Sequence, residues 1–320
     1  MNRNKLCMSV SALAMMILIL DSRAAGKAAL EGIELCIRSV IPALFPFFLI
    51  SGYLTGSISG SGFFGTLFHM PRHCGTVILT GLLAGYPVGA RLSAQQYRTG
   101  MLTKSQADRL LWFCSQAGPS FLFGILTSQM GNTRSVCMLW AIQLLSSLSV
   151  AWILPPQTDP LPIQYRFPGS GTDVMTSSLK AMASVCGWIM IFRVIIDFFR
   201  RWFLWQLPEV IQILLSGLLE LTNGCLMLPQ IPDLRLRFLL AAVMLNFGGV
   251  CVLMQTHSVT SGLNFRGYLY GKTLQTVFAT LYAGVFMGLF WTWIPIAFLF
   301  IRLFLRDARK RSSIPVNLGV

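Results

Sequence analysis

The stretch Thr80-Gly81-Leu82-Leu83-Ala84-Gly85-Tyr86-Pro87-Val88-Gly89 interrupts a short apolar segment with three glycines and a proline. Glycine tolerates unusual φ angles and proline lacks a backbone donor, so a helix is expected to unwind here. At membrane depth, non-helical backbone survives only where protein or a water-filled cavity covers it. The apolar segment around it, near 75–90, is too short for a simple crossing. In a membrane protein it predicts a re-entrant hairpin.

The composition indicates a membrane protein. Of the 320 residues, 54% are hydrophobic and 11% are charged, whereas about 25% are charged in ordinary globular proteins. So little charge cannot coat a soluble surface. The net charge is +14, but the basic residues fall between apolar runs instead of forming one stripe, which argues against nucleic acid as a partner. The expected partner is the lipid bilayer.

Apolar segments of crossing length recur along the chain. The first runs from Leu6 to Leu20 behind Arg3 and Lys5, and is expected to be an uncleaved signal anchor because Arg23 disrupts the small-residue cleavage pattern. The others lie near 30–54, 107–130, 135–154, 178–199, 236–256, 268–289 and 291–305. A second segment too broken to cross lies near 209–226. The predicted fold is an all-α polytopic membrane protein with about eight transmembrane helices and two re-entrant hairpins.

Basic residues predict the orientation of these helices. An even number of crossings puts both termini on one side, and that side then carries about twice as many basic residues as the other. We therefore expect the termini and the Gly100 region to be cytoplasmic. Lys272 is counted among the cytoplasmic residues. The loop from Gly131 to Arg134 is expected on the opposite side.

The two halves of the chain resemble each other. Residues 80–89 align with Ser216-Gly217-Leu218-Leu219-Glu220-Leu221-Thr222-Asn223-Gly224-Cys225, and residues 115–120 align with 246–251. With three crossings in each half, the second copy enters the membrane inverted, as in many secondary transporters. Chance alignment of glycine- and leucine-rich segments is the alternative. The predicted divisions are a signal-anchor helix at 1–27, a first repeat at 28–154, a Pro-rich linker at 155–172, a second repeat at 173–290, and a C-terminal helix with a basic tail at 291–320.

Polar residues beside the helix breaks are the candidate solute-binding residues, because free amides and helix ends become available there. They are Gly85, Tyr86, Pro87, Gly89, Ser115, Gln116, Gly118, Pro119, Ser120, Glu220, Thr222, Asn223, Gly224, Asn246, Gly248, Gly249 and Gln255. Pro119 is expected to open a new half-helix. Local kinking or packing is the alternative for each break. No catalytic or phosphate-binding motif occurs, so neither an enzyme, a metal site nor a cofactor is expected.

Charged residues inside apolar segments receive separate interpretations. Glu220 is costly to bury, so a functional role is the default, and proton or sodium coupling is considered for it. Arg193 and Asp197 are four residues apart and are expected to form an intrahelical pair, as are Glu34 and Arg38.

Four motifs carry a resemblance to a known family. They are Gly81-Leu82-Leu83-Ala84-Gly85-Tyr86-Pro87-Val88-Gly89-Ala90-Arg91, Phe113-Cys114-Ser115-Gln116-Ala117-Gly118-Pro119-Ser120-Phe121, Glu220-Leu221-Thr222-Asn223-Gly224-Cys225 and Phe247-Gly248-Gly249-Val250-Cys251-Val252-Leu253-Met254-Gln255. In this order they resemble the YlbJ-type sporulation integral membrane proteins, which belong with the nucleoside-recognition, or Gate, domain proteins. The resemblance covers about 28–290. Ser115-Gln116 departs from it, since two asparagines are expected there.

The resemblance implies a transporter in the membranes of a sporulating bacterium, in the forespore envelope. For this branch it implies dipicolinic acid, an aromatic dicarboxylate, as the solute, whereas the wider Gate family implies nucleosides. The residues themselves reach only a transporter of a small polar, anionic solute. A non-transporting membrane scaffold in spore formation is the alternative from another class. Assembly as a homo-oligomer, or with other sporulation membrane proteins, stays open.

Overall fold

The computed structural model describes residues 3–54, 62–157, 171–289, 292–293 and 295–297. All regular elements within these ranges are helical, which confirms the all-α class. Most of the predicted Pro-rich linker, and nearly all of the C-terminal helix and basic tail, lie outside the described residues.

The described part of the first half contains ten α-helices, several of them short. They are α1 (Arg3–Leu20), α2 (Ser22–Leu35), α3 (Ile41–Leu54), α4 (Gly62–Leu67), α5 (Gly75–Leu83), α6 (Val88–Arg98), α7 (Lys104–Leu111), α8 (Pro119–Phe121), α9 (Thr127–Met130) and α10 (Thr133–Ile153). A π-helical stretch at Cys36–Val40 joins α2 to α3, and another at Leu122–Leu126 joins α8 to α9.

The second half contains longer elements and the same kind of interruption. Its helices are α11 (Gly171–Trp202), α12 (Glu209–Leu219), α13 (Leu221–Met227), α14 (Leu234–Phe247), α15 (Gly249–Val259) and α16 (Phe265–Phe286). Single residues separate α12 from α13 and α14 from α15. The breaks expected near 85–89, 220–224 and 248–249 are therefore real interruptions of helices.

Within the described residues, four helical stretches are long and apolar enough to cross a membrane. They are Ser22–Tyr53, Thr133–Ile153, Gly171–Trp202 and Leu234–Val259. The described part of the chain is thus all-helical and includes membrane-spanning helices, as predicted. Only 17% of the apolar window in Ser22–Tyr53 is buried, against 67% in Leu234–Val259. The α2–α3 stretch is consequently peripheral, and α14–α15 forms the centre of the bundle.

Ion pairs join the peripheral helices α2 and α11. Arg193 binds Glu31 with a nitrogen–oxygen distance of 2.6 Å, and Arg201 binds Asp21 at the same distance. The expected pair between Arg193 and Asp197 is wrong, because Asp197 binds Arg201, one turn further along α11, at 2.6 Å. Spacing along one helix could not reveal that α2 supplies Arg193 with a carboxylate. The pair between Glu34 and Arg38 is confirmed at 2.9 Å.

Hydrogen bonds near the ends of helices define two ends of the bundle. At one end, Arg98 Nη2 donates to Val259 O at 2.6 Å, and Asn264 N donates to Asp108 Oδ1 at 2.6 Å. Arg109 Nη2 also donates to Ala151 O there, at 3.0 Å. We call this the first end. Arg237 Nη2 donates to Ile231 O at 2.6 Å at the other end, which we call the second end.

Helix α10 separates the two ends. Its 21 residues span about 30 Å, the thickness of the hydrocarbon core of a bilayer. Arg237 Nη1 lies 3.4 Å from Gln129 O, so the loop before α10 belongs to the second end. The Gly100 region and the Gly131 loop therefore lie at opposite ends, as the predicted topology requires. Which end faces the cytoplasm stays a prediction.

Candidate functional site

The first break brings two glycines into contact. Helices α5 and α6 cross at Gly81 and Gly89, and a methyl group on Gly89 would lie 2.9 Å from Gly81 Cα. The same methyl group would overlap the carbonyl of Cys114. Gly85, at the break itself, has a φ of 90°, which side chains disfavour. Glycine is needed at these positions for backbone reasons, so Gly89 packs helices together and does not line a cavity.

The second break has the same geometry with an acid at its centre. A methyl group on Gly224 would lie 2.7 Å from Gly217 N, so α12 and α13 also cross through glycines. Glu220 lies between them and is 2% exposed. Its carboxylate accepts hydrogen bonds from Thr222 N at 3.0 Å and Asn223 N at 2.8 Å. The protein's own carboxylate therefore caps α13, and those two amides are not free for a solute, contrary to expectation.

In each half, the hairpin break contacts a second helix break. This second break lies between α7 and α8 in the first half and between α14 and α15 in the second half. In the first half, α8 begins at Pro119 as expected, and a methyl group on Gly118 would lie 3.0 Å from Gly85 N. In the second half, Gly248 and Gly249 both have a φ of 84°. A methyl group on Gly249 would lie 3.2 Å from Leu221 N.

Tyr86 joins the two halves. Its hydroxyl donates to Leu245 O at 3.0 Å, near the end of α14. Its ring lies over Gly248, where a methyl group would come within 3.0 Å of a ring carbon. The four breaks of the two halves therefore meet in one region of the bundle.

A cavity opens where the breaks meet. Its empty volume, with the open mouth included, is about 510 Å³. Five of the predicted binding residues line it: Tyr86, Gly118, Glu220, Thr222 and Gln255. Most of the remaining wall is apolar, with Phe121 and Ile189 as examples. The cavity is less polar than the sequence suggested.

The other predicted residues lie off this wall. The backbone breaks involve Gly85, Pro87, Pro119, Gly248 and Gly249. Gly89 and Gly224 lie where the hairpin helices cross, and Ser120 is in the first turn of α8. Asn223 Oδ1 accepts from Arg193, and Asn246 Nδ2 donates to Ala242 O at 2.9 Å within its own helix. Ser115 is buried beside the hydroxyl of Tyr268. Gln116 belongs to a separate polar cluster.

Lys272 is the centre of that cluster, and sequence reasoning missed it. It is 1% exposed inside α16, although the residue count placed it among the cytoplasmic residues. Its Nζ donates to Gln275 Oε1 at 2.6 Å, to Tyr86 Oη at 2.8 Å and to Asn246 O at 3.2 Å. A lysine ammonium has three donors and no acceptor, so these oxygens satisfy it completely.

Further amide and hydroxyl side chains extend the cluster to the residues that follow the end of α7. Gln116 Nε2 donates to Gln275 Oε1 at 2.8 Å and also to Ser147 Oγ. Gln275 Nε2 donates to Trp112 O at 2.6 Å, and Ser147 Oγ to Phe113 O at 3.0 Å. These carbonyls follow the end of α7, where helical partners are missing. The polar side chains thus satisfy the backbone that the break exposes.

One signal in the sequence could have identified Lys272. It lies seven positions after the start of α16 at Phe265, which corresponds to a depth of about 10 Å. An ionisable residue at that depth is a functional candidate by default, the rule that singled out Glu220. The rule was not applied because Lys272 was counted among the cytoplasmic residues, although it lies within the predicted crossing near 268–289.

Comparison with known proteins adds one relationship to this geometry. The chain is similar to the sporulation integral membrane protein YlbJ of Bacillus subtilis (strain 168). The two are 25% identical over 322 residues, which cover 84% of this chain and 78% of YlbJ. This similarity supports the YlbJ-type resemblance carried by the four motifs, and the chain is a membrane protein. No protein-family model matches the chain, and no solved structure matches it. The Gate domain therefore stays a prediction.

Proposed function

We propose that this chain is a sporulation-associated integral membrane transporter of a small polar solute. The observation that carries the proposal is the convergence of four helix breaks, two from each half, on one cavity lined by Tyr86, Gly118, Glu220 and Gln255. Transporters commonly place their sites where discontinuous helices of two repeats meet near the bilayer midplane. The similarity to a sporulation integral membrane protein supports the cellular role.

The proposal includes two re-entrant hairpins that enter from opposite ends. The first, α5 and α6, lies between the short helical turn at Arg72–Cys74 and Arg98, which binds Val259 O at the first end. The second, α12 and α13, continues into Ile231, which binds Arg237 at the second end. Opposite entry is the arrangement expected of an inverted repeat, with about eight crossings in all. Two Gate-like repeats, 28–154 and 173–290, fit this arrangement.

For the solute we propose a flat, anionic molecule such as dipicolinic acid, as the family resemblance implies. Tyr86 and Phe121 offer aromatic faces to cover the ring of this molecule. We place the protein in the forespore envelope, and we propose that it carries its solute unchanged and is not an enzyme.

A specific observation favours a second candidate, an uncharged nucleoside. Glu220 is an acid, and no basic side chain lines the cavity among the described residues. An ionised Glu220 would repel a carboxylate, whereas it would accept hydrogen bonds from a sugar or a base. The two candidates therefore make opposite predictions about solute charge.

Uptake into vesicles separates these candidates. The purified protein is reconstituted, and either labelled pyridine dicarboxylate or a labelled uncharged nucleoside is supplied outside, with the other solute added unlabelled in excess. Under the main proposal the dicarboxylate is taken up, and the nucleoside neither enters nor competes. Uptake of the nucleoside alone would replace the main proposal with the second candidate. Absence of uptake for both solutes would leave the scaffold interpretation instead.

A further inference from the structure

We infer that Lys272 forms an anion subsite behind Tyr86, in which a solute carboxylate replaces the Tyr86 hydroxyl as an acceptor of the Lys272 ammonium. The inference rests on the proposed transport function and assigns the group that recognises an anionic solute. It starts from a charge that the fold leaves without a counter-charge.

The partners of Lys272 are all formally neutral. They are a phenol, a side-chain amide and a backbone carbonyl, and none of the ion pairs in the described part of the chain includes this lysine. Asn246 O belongs to the last turn of α14, where the helix dipole is negative and favours a cation. These contacts solvate the ammonium and hold it in place. They do not neutralise it, so Lys272 can attract an anion in surroundings that screen charge poorly.

Tyr86 lies beside this charge and also lines the cavity. Lys272 Nζ lies 4.7 Å from the Tyr86 ring centroid and 2.8 Å from its hydroxyl oxygen. On one side the ring lies over Gly248, which has no side chain to contact it. Movement of this one side chain would connect Lys272 to the cavity.

The hydroxyl of Tyr86 already has both its roles filled. It donates to Leu245 O at 3.0 Å and accepts from Lys272 at 2.8 Å. It therefore has no proton to offer a solute in this state, and it competes with the solute for Lys272. A carboxylate oxygen at the position of the hydroxyl would receive a charge-assisted hydrogen bond, which is stronger than the bond from lysine to a phenol.

This arrangement allows an anionic solute to bind although the acidic Glu220 lies on the cavity wall. The Glu220 carboxylate already accepts hydrogen bonds from Thr222 N and Asn223 N, whereas Lys272 lies beyond Tyr86. A solute with separated polar groups can direct its carboxylate to Lys272 and the remainder to the rest of the wall. An uncharged solute gains nothing from Lys272.

The test compares four variants in reconstituted vesicles with labelled pyridine dicarboxylate. Lys272→Gln keeps a hydrogen-bond donor but removes the charge, and should raise KM at least about tenfold. Lys272→Arg keeps the charge and should retain uptake better than Lys272→Gln. Tyr86→Phe removes the competing hydroxyl but keeps the ring, and should lower KM. Lys180→Gln, which removes an exposed lysine of α11, should behave as the wild type.

The outcomes separate the subsite from the transport function. Wild-type uptake with a KM within about twofold for Lys272→Gln would overturn the subsite while leaving the transport proposal intact. A KM raised about tenfold by Tyr86→Phe would also overturn it, since the hydroxyl would then be a ligand of the solute. If Lys272→Gln does not fold, the Tyr86→Phe and Lys272→Arg results decide. No uptake by the wild type would overturn the transport proposal itself.

Discussion

Gly81 and Gly89 lie so close together that neither position has room for a side chain. A methyl group on Gly89 would lie 2.9 Å from Gly81 Cα and would overlap the carbonyl of Cys114. At this contact α5 and α6, the two helices of the first hairpin, pack against Cys114, which follows the end of α7. Gly217 and Gly224 do the same in the second half, where Met244 takes the place of Cys114. In both hairpins, the two helices therefore cross at a pair of glycines.

We expect Gly89→Ala to destabilise the protein by about 1–3 kcal/mol, the usual range for overpacking a tight interior. The added methyl group meets a backbone carbonyl, which cannot rotate away as a side chain could. Thermal unfolding of the purified protein in detergent measures the change. Gly187→Ala is the matched control, since it lies in α11 with no atom near its added methyl group, and it should be neutral or stabilising. Equal stabilities of the two variants would contradict the crossing.

The second prediction concerns which end of the bundle is cytoplasmic. Single cysteines replacing the exposed residues Lys104 and Arg134 are introduced into a background without native cysteines. A membrane-impermeant thiol reagent added outside intact cells should label position 134 and spare position 104. Both should react after the cells are opened. Labelling of position 104 from outside would reverse the orientation, and labelling of both would disprove the opposite placement of the two loops.

The third prediction tests Glu220 as the site of ion coupling. Glu220→Gln keeps one oxygen to cap α13 but removes the only acidic side chain on the cavity wall among the described residues. Uptake driven by a pH gradient should fall to the rate without a gradient, while exchange of solute across the membrane at equilibrium should continue. Glu209→Gln is the control, because Glu209 is an exposed acid at the start of α12. An unchanged response to the gradient would exclude Glu220 from coupling.

The helix breaks could be predicted from the sequence because their causes are local. Glycines with positive φ at 85, 248 and 249, and Pro119 at the first position of a helix, act through their own backbone. Apolar length alone predicted the four helical stretches that are long and apolar enough to cross a membrane, because a bilayer sets that length.

Partners that join distant segments could not be predicted in the same way. Arg193 binds Glu31, 162 positions away, and Lys272 binds Tyr86, 186 positions away. A neighbour four residues along the helix was the only partner that spacing could propose for Arg193. For Glu220 the sequence correctly indicated burial, but it did not indicate that the carboxylate would cap its own hairpin.

The last prediction concerns Arg193, which connects the peripheral helices to the second hairpin. Its guanidinium binds Glu31 on α2 with one nitrogen and Asn223 on α13 with another. The Glu31 side chain is 41% exposed, so water screens its charge, whereas Asn223 is 1% exposed. The two partners should therefore contribute unequally to stability.

We expect Glu31→Ala to cost no more than about 1 kcal/mol, as exposed ion pairs do. Arg193→Leu should cost about 1–3 kcal/mol, because it leaves the amide oxygen of Asn223 buried without this donor. Thermal unfolding in detergent of both single variants and of the double variant gives the coupling between Arg193 and Glu31. If Glu31→Ala proves as damaging as Arg193→Leu, then the ion pair, and not the bond to the hairpin, holds α11 in place.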